Sequence, residues 1–375
     1  MSPNSFAEAA SGVSSSLPAR APAPKGMVEQ VDARKNKNEI LSLYERSGRP
    51  DMTQRFDWYY RNGGQEAPLS WGLRSRSGEL CGLCSVSPRW LRYGQTTLRA
   101  GVAGNLLVDR GKGLYLDALS LVRAMKSAVT TGDIDILLGS PNHLSEPSFI
   151  RLNFTVIDRW TSHAWIHRSG GLLQAHFGWP GRIASPIVDF CAATHRFFSS
   201  TKNDERHGLR FFPIPEDRLD ALSPEQWAPP EKQFTNYPST DYLFWRFLRD
   251  PVNLCSISAI VSPSGKPCGY LAFRHDPHRL WIIDCNTDSR EISQRTAITQ
   301  FCLSKEARRK TIWIAHLSSA EWSSQLTSCG FIRVTQSVGG FPHVPLVGFW
   351  LPEHPLAGAF AQANAWSIFT GANDV

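Results

Sequence analysis

Between residues 100 and 139 the chain changes its hydrophobic period twice. Residues 100–108, AGVAGNLLV, are an almost unbroken apolar run of strand length. Leu114, Ala118, Leu121, Val122, Met125, Ala128 and Val129 then recur at steps of three and four, which predicts a helix with one buried face. The apolar run 134–139 predicts another strand. Asp109-Arg110-Gly111-Lys112-Gly113-Leu114 therefore joins a strand to a helix through a glycine-rich turn. Nearer the start the pattern predicts a strand over 27–31 and a helix over 38–46, and 209–214 and 215–227 offer the same order again. Further strands are predicted over 280–285 and 311–317, with a helix over 292–305 between them.

Two segments share one register. Phe56-Asp57-Trp58-Tyr59-Tyr60-Arg61 precedes Ser77-Gly78-Glu79-Leu80-Cys81-Gly82, and Tyr242-Leu243-Phe244-Trp245-Arg246-Phe247 precedes Ser264-Gly265-Lys266-Pro267-Cys268-Gly269. Trp58 and Trp245, Gly78 and Gly265, Cys81 and Cys268, and Gly82 and Gly269 are each 187 residues apart. In both, an aromatic helical turn precedes a strand, a Ser-Gly hairpin turn and a second strand, so the constant offset predicts two copies of one unit. Residues 184–198 have helical apolar spacing and are expected to pack as a linker helix before the polar run 199–207. The expected organisation is a tail over 1–26, a first domain over 27–170, a linker over 171–205, a second domain over 206–352 and an extension over 353–375.

Composition narrows the class. With 375 residues, 42% of them hydrophobic and 19% charged, the chain is neither a disordered polymer nor a small disulfide scaffold. Residues 1–26 are rich in Ser, Ala and Pro and lack the apolar core of a signal peptide, and no run approaches 18 apolar residues. No membrane association is expected. Eight cysteines without small-domain spacing predict reduced thiols and a cytoplasmic location. Cys81-Gly-Leu-Cys84 has no second such pair and no nearby His pair, so it reads as buried strand thiols with no metal. The net charge of +7 suits a phosphate-bearing ligand or plain solubility, and with no recognisable binding motif no nucleic-acid partner is expected.

The glycine turn carries the chemistry. Glycines let backbone N–H groups approach an anion at a helix N-terminus, and Arg110 and Lys112 add charge. The turn does not match the Walker loop, and it lacks the third glycine of the dinucleotide pattern.

Arg110-Gly111-Lys112-Gly113-Leu114-Tyr115 resembles the phosphate loop of the GNAT superfamily of acyl-CoA N-acyltransferases, Arg/Gln-x-x-Gly-x-Gly/Ala, with Tyr115 in place of the last small residue. Residues 137–154 resemble the family's next motif, a strand, an Asn-led helix and an ending like Tyr-x-x-x-Gly-Phe, here Phe149 to Phe154 with Asn153 in place of Gly. The likeness covers 28–168 well and, through the repeat, 209–352 more faintly. It implies an α/β (α+β) protein of two tandem GNAT-like domains, each a mixed central sheet flanked by helices. It further implies transfer of an acetyl or other short acyl group from acyl-CoA to a small-molecule amine, such as an amino sugar or metabolite, by direct attack in a ternary complex. A protein acceptor, and a non-catalytic CoA-binding scaffold, stand as alternatives. Monomer and homodimer are both open.

By the same resemblance, the backbone of Leu106, Leu107 and Val108 holds the pantetheine arm and acyl carbonyl. The pyrophosphate rests on the N–H groups of Gly111, Lys112, Gly113 and Leu114 beside Arg110. Asn142 is a ligand contact or a helix cap. Asn105 stands where relatives often have an acidic residue and can orient a water without accepting a proton. His143 and Glu146 are the nearest titratable groups, and each also reads as a surface or capping residue. Phe149 replaces a proton-donating Tyr, and Asn153 can take the left-handed backbone of the Gly it replaces. In the second half, 286–291 reads Asn-Thr-Asp-Ser-Arg-Glu, without glycine and with two carboxylates that would repel a pyrophosphate. That half is expected to be a degenerate copy that shapes the acceptor site or steadies the first. The aromatic residues of 55–61 and 241–249 suit an acceptor pocket or core packing.

Overall fold

The structure, a computed structural model, describes residues 27–369 apart from 61–65, 110–114, 201–207, 253–254, 306, 308–309, 318–319 and 335–342. The first half runs β1 (Met27–Gln30), α1 (Lys37–Arg46), α2 (Pro50–Tyr60), β2 (Leu69–Arg74), β3 (Leu80–Tyr93), β4 (Thr96–Val108), α3 (Tyr115–Thr130), β5 (Ile136–Gly139), α4 (Glu146–Arg151), β6 (Thr155–Arg159) and β7 (Thr161–Trp165). A helical hairpin follows, α5 (Gly170–Phe177) and α6 (Trp179–Ser200). The second half contains β8 (Arg210–Pro213), β9 (Phe234–Asn236), α7 (Thr240–Leu243), β10 (Cys255–Val261), β11 (Pro267–His275), β12 (Arg279–Thr287), α8 (Gln294–Leu303), β13 (Thr311–Leu317), α9 (Ala320–Ser328), β14 (Ile332–Val334), β15 (Pro345–Trp350), α10 (Ala357–Phe360) and β16 (Ile368–Phe369).

Two mixed sheets with helices against them form the body, which is the α/β architecture expected. One sheet has the order β1-β2-β3-β4-β5-β15-β6, with β9 on β3; the other has β14-β7-β13-β12-β11-β10-β8, with β16 on β13. The halves exchange strands. β7, from the first half, lies between β13 and β14, and β15, from the second, lies between β5 and β6. Each sheet is thus completed by a segment remote in sequence.

The repeat is visible atom by atom. Ser75 N donates to Glu79 O and Gly78 N to Ser75 O, and 187 residues on Ser262 N donates to Lys266 O and Gly265 N to Ser262 O. Gly78 and Gly265 both take positive φ, 82° and 87°, which their hairpin turns require. Cys81 Sγ donates to Leu73 O and Cys268 Sγ to Ile260 O. All eight cysteines are free thiols. Trp58 Nε1 donates to Trp245 O at 2.8 Å while Trp245 Nε1 donates to Trp58 O at 2.9 Å, and their rings stack at 4.9 Å and 11°. Such a reciprocal pair is what an approximate two-fold axis between the copies produces. Beside it the buried Arg55 bonds Asp250 at 2.8 Å and lies 4.5 Å over the Trp58 ring. The aromatic segments of 55–60 and 241–249 therefore form core between the halves.

Two helical expectations change on folding. The 215–227 segment forms two 3₁₀ turns, Glu216–Leu222 and Pro224–Gln226, because Ser223 takes a left-handed φ of 43° and Pro224 brings no N–H. The linker helix starts earlier than 184 and leaves much of its apolar face in solvent. No helix among the described residues is long and apolar enough to cross a membrane.

Candidate active site

β4 pairs with β3 along its whole length but with β5 only through Ala100↔Ile136, Gly101↔Leu137 and Val102↔Leu138. Glycine is needed at that crossing, since a Cβ on Gly101 would lie 2.4 Å from Val86 Cγ1 and 2.5 Å from Ile134 Cδ1. β5 then ends at Gly139, while β4 runs on to Val108. From 103 to 108 the side of β4 facing β5 has no strand partner among the described residues. Such a row of backbone groups outside any strand ladder is the kind of edge that an extended ligand can pair with.

A bulge sits in this open stretch. The register with β3 slips between Leu83 and Ser85, and Asn105 adopts φ 52° to take up the extra residue. Asn is among the few side-chain-bearing residues that enter this region readily. Its Nδ2 donates to Tyr60 Oη at 3.3 Å, and Tyr60 Oη is 2.9 Å from Tyr44 Oη and 3.2 Å from Ser85 Oγ. Burial pushes both phenols up, so they stay neutral and hold the bulge as hydrogen-bonding groups.

Leu106, Leu107 and Val108 lie in the stretch of β4 that has no strand partner toward β5 among the described residues, with Leu107 packed toward one core and Leu106 and Val108 toward the other. Arg110, Gly111, Lys112, Gly113 and Leu114 lie outside the described residues. Their flanks are set: Asp109 N donates to Cys81 O at 2.8 Å, Arg46 pairs with the Asp109 carboxylate at 3.3 Å, and α3 begins at Tyr115. On either side of 110–114, therefore, stand the end of β4 and the N-terminus of a 16-residue helix.

Across the split, past the end of β5, stand the remaining expected residues. Asn142 Oδ1 accepts from Leu144 N at 3.0 Å and Ser145 N at 3.1 Å, a local turn leading into α4. His143 is exposed. Glu146 pairs with Arg159 Nη2 at 3.0 Å, and Arg159 belongs to β6, on the side of β5 away from β4. Phe149 is buried, edge-on to Phe154 at 4.9 Å, and Asn153 takes φ 61° as its place in the motif requires. Among the described residues no group of three His, Cys, Asp or Glu side chains could hold a metal.

No family model and no curated protein matches this sequence. Solved structures do share its fold. A protein of Enterococcus faecalis described as a probable N-acyltransferase superposes with a TM-score of 0.58 at 11% identity, covering 87% of this chain and 73% of that one. A GCN5-related N-acetyltransferase of Anabaena variabilis gives 0.53 at 11% identity over 86% and 72%. The Saccharomyces cerevisiae N-myristoyltransferase, solved with bound myristoyl-CoA, gives 0.50 at 13% over 88% and 85%. The chain has the tandem GNAT fold.

Within this GNAT fold the second half repeats the split and then fills it. β12 pairs with β13 only from Arg279↔Thr311 to Ile282↔Ile314. Beyond that point β16 takes the free edge of β13 through His316↔Phe369 and Leu317↔Ile368, while β7 holds the other edge. Ser367 Oγ donates to Gln294 Oε1 at 2.9 Å, and Gln294 Nε2 donates to Cys285 O at 3.0 Å. Trp366, Ser367, Ile368 and Phe369 are all buried there. The sequence signal for this was the apolar cluster Trp366-Ser-Ile-Phe369 inside the extension, which pattern alone could not pair with a strand some fifty residues earlier.

The acidic turn of the second GNAT half also differs in its electrostatics from expectation. Asp288 accepts from Arg290 Nη2 at 2.6 Å and Nε at 2.8 Å, and that pairing first of all holds its carboxyl below the usual range; Glu291 pairs with Lys266 at 3.1 Å. The two carboxylates are neutralised by neighbours, not presented bare. Counted back from the matching pairs Gly82↔Val108 and Gly269↔Thr287, Asp284 occupies the place of Asn105. No motif in the sequence marks this residue. It is buried and accepts from Tyr270 Oη at 2.7 Å, and burial pushes its carboxyl up to about 6.

Proposed function

We propose that the chain is an acyl-CoA-dependent N-acyltransferase that moves an acetyl or other short acyl group onto the amine of a small molecule such as an amino sugar or metabolite. The observation that carries this reading is the open edge of β4 over 103–108, bulged at Asn105 and running toward the glycine turn and α3. Its backbone groups suit the amides of a pantetheine arm, with Leu106, Leu107 and Val108 as the holding residues. Gly111, Lys112, Gly113 and Leu114 would offer N–H groups to the pyrophosphate, with Arg110 adding charge. The filled split of the second half supports a single site per chain.

In the reaction the lone pair of a neutral amine attacks the thioester carbonyl, the C–N bond forms, the C–S bond breaks and the thiolate leaves. Acceleration then comes chiefly from holding the two reactants together and from donors preset toward the carbonyl oxygen. Phe149, packed in the core, gives the thiolate no proton, so water or the substrate's own ammonium proton serves. Asn105 orients a water near the bulge. Glu146, tied to Arg159, and the exposed His143 are the titratable candidates for receiving the amine proton.

The second reading, a non-catalytic CoA-binding scaffold, is favoured by one observation: Phe149 and Asn105 both stand in place of proton-handling groups. Two measurements separate the readings. Titration of CoA should give binding that Gly113→Asp weakens at least about tenfold, since a carboxylate in the cradle repels the pyrophosphate. Thiol release from acetyl-CoA in the presence of an amine panel should then show turnover; binding without turnover selects the scaffold. Unchanged affinity of the Asp variant would defeat the site assignment altogether.

A further inference from the structure

α6 turns a row of small and polar residues to the body and an apolar seam to solvent. Gly181, Ser185, Asp189, Ala192 and Arg196 face the body. A Cβ on Gly181 would strike Leu173 O of α5, Asp189 Oδ1 accepts from Ser169 N at 2.7 Å, Ala192 is buried, and Arg196 bonds Ile166 O and lies over the Trp165 ring. On the opposite side Trp179 is 72% exposed, Ile183 65%, Ile187 68% and Phe190 72%. Phe197, also exposed, continues the same line. From Ile183 the positions 187, 190, 194 and 197 follow steps of four and three, the spacing of a coiled-coil seam.

A proline lies within the helix beside this seam. Pro186 cannot donate to the Arg182 carbonyl four residues back, and Ser185 Oγ does so instead at 2.9 Å. At these exposures the five apolar side chains present roughly 700 Å² between them, taking full aromatic areas of about 150–250 Å². A standard interface buries about 800 Å² per partner.

We propose that this outer seam of α6 is a homodimer interface, and that its occupant is the same seam of a second copy of the chain. A two-fold axis makes one heptad stripe its own complement, and the steps of four and three demand a helix as partner. Charge argues against a lipid surface: a membrane-lying helix carries a polar face rich in Lys and Arg, whereas α6 has Arg182 and Arg196 against Asp189, with Arg196 turned inward.

Light scattering after gel filtration, with sedimentation velocity over a concentration series, tests this on the full chain. The expected mass is twice the 41.9 kDa of one chain. Ile187→Glu combined with Phe190→Glu should weaken the dimer at least about 100-fold while leaving the far-UV circular dichroism unchanged, because both side chains lie in solvent in the single chain. Phe212→Glu, at an exposed phenyl on β8, should leave the dimer intact. A single-chain mass for the unmodified protein at tens of micromolar overturns the proposal, as does a double variant that stays dimeric. Single-chain mass together with binding to phosphatidylserine-containing vesicles that the double variant loses would overturn it in favour of a membrane surface.

Discussion

Asp284 sits in the second half with its carboxyl raised to about 6 from 3.8, first of all by burial. The folded protein therefore keeps this proton to higher pH than the unfolded chain does. Stability contributed at this site is fullest below about pH 4, falls by about 3 kcal/mol as pH rises to about 6, and is level above. Asp284→Asn, which can still accept from Tyr270, should flatten that fall and raise stability near neutral pH. Urea unfolding at pH 4, 5, 6 and 7 reads it directly, and a variant with the original slope would refute the assignment. Phe149 makes a contrasting case. Its ring fills the space between Gly139 and Phe154, so Phe149→Ala should cost about 3–5 kcal/mol of stability while the folded fraction binds CoA as before. A thermal melt beside a CoA titration separates the two effects, and a selective loss of binding would give Phe149 a role in the site. The missing donor at Phe149 and the left-handed turn at Asn153 were legible in the chain, since each follows from side-chain chemistry alone. Asp284 was not, because the β11–β12 hairpin is shorter than the β3–β4 one, so the offset of 187 residues that joins Gly82 to Gly269 falls to 179 between Val108 and Thr287.

Among the elements, the strand over 311–317 was read residue for residue, being short, apolar and bounded by polar turns. The helix of α3 was legible for the opposite reason, a long periodic face. The 3₁₀ turns after Pro215 escaped because apolar spacing alone does not register a left-handed Ser223. What matters most for chemistry is the unequal fate of the two splits. β4 leaves its edge without a strand partner among the described residues beyond Val102, whereas in the second half β16 enters the split between β12 and β13, pairing with β13 and tied through Ser367 to Gln294. The expected stoichiometry is one CoA per chain, measured by isothermal titration with the protein concentration fixed by absorbance. Two equivalent sites would show that the β16 segment yields to ligand.

Across the whole molecule the halves are joined by the Trp58–Trp245 pair, the Arg55–Asp250 ion pair and two exchanged strands. Asp250 has no exposed side-chain surface, and its removal in Asp250→Ala strands the Arg55 guanidinium in the core, at a cost of about 3–5 kcal/mol. Calorimetry should further record one unfolding transition for both halves, in the parent protein and in the variant, since neither sheet is complete without the other's strand. Two separated peaks would contradict that coupling. The constant offset of 187 residues made the duplication readable, but strand exchange leaves no local trace, because it is decided by pairings between residues as remote as Trp165 and Ile312 or Gly139 and Val347.

That exchange also sets a timetable for biosynthesis. The ribosome releases β5 and β6 long before Pro345–Trp350, the strand that must lie between them. At about 5–20 residues per second the wait is roughly 10–40 s. Through that interval two strand edges of the nascent amino-terminal half stand apart and unzipped, and the molecule's exposure to chaperones and to mispairing is concentrated there.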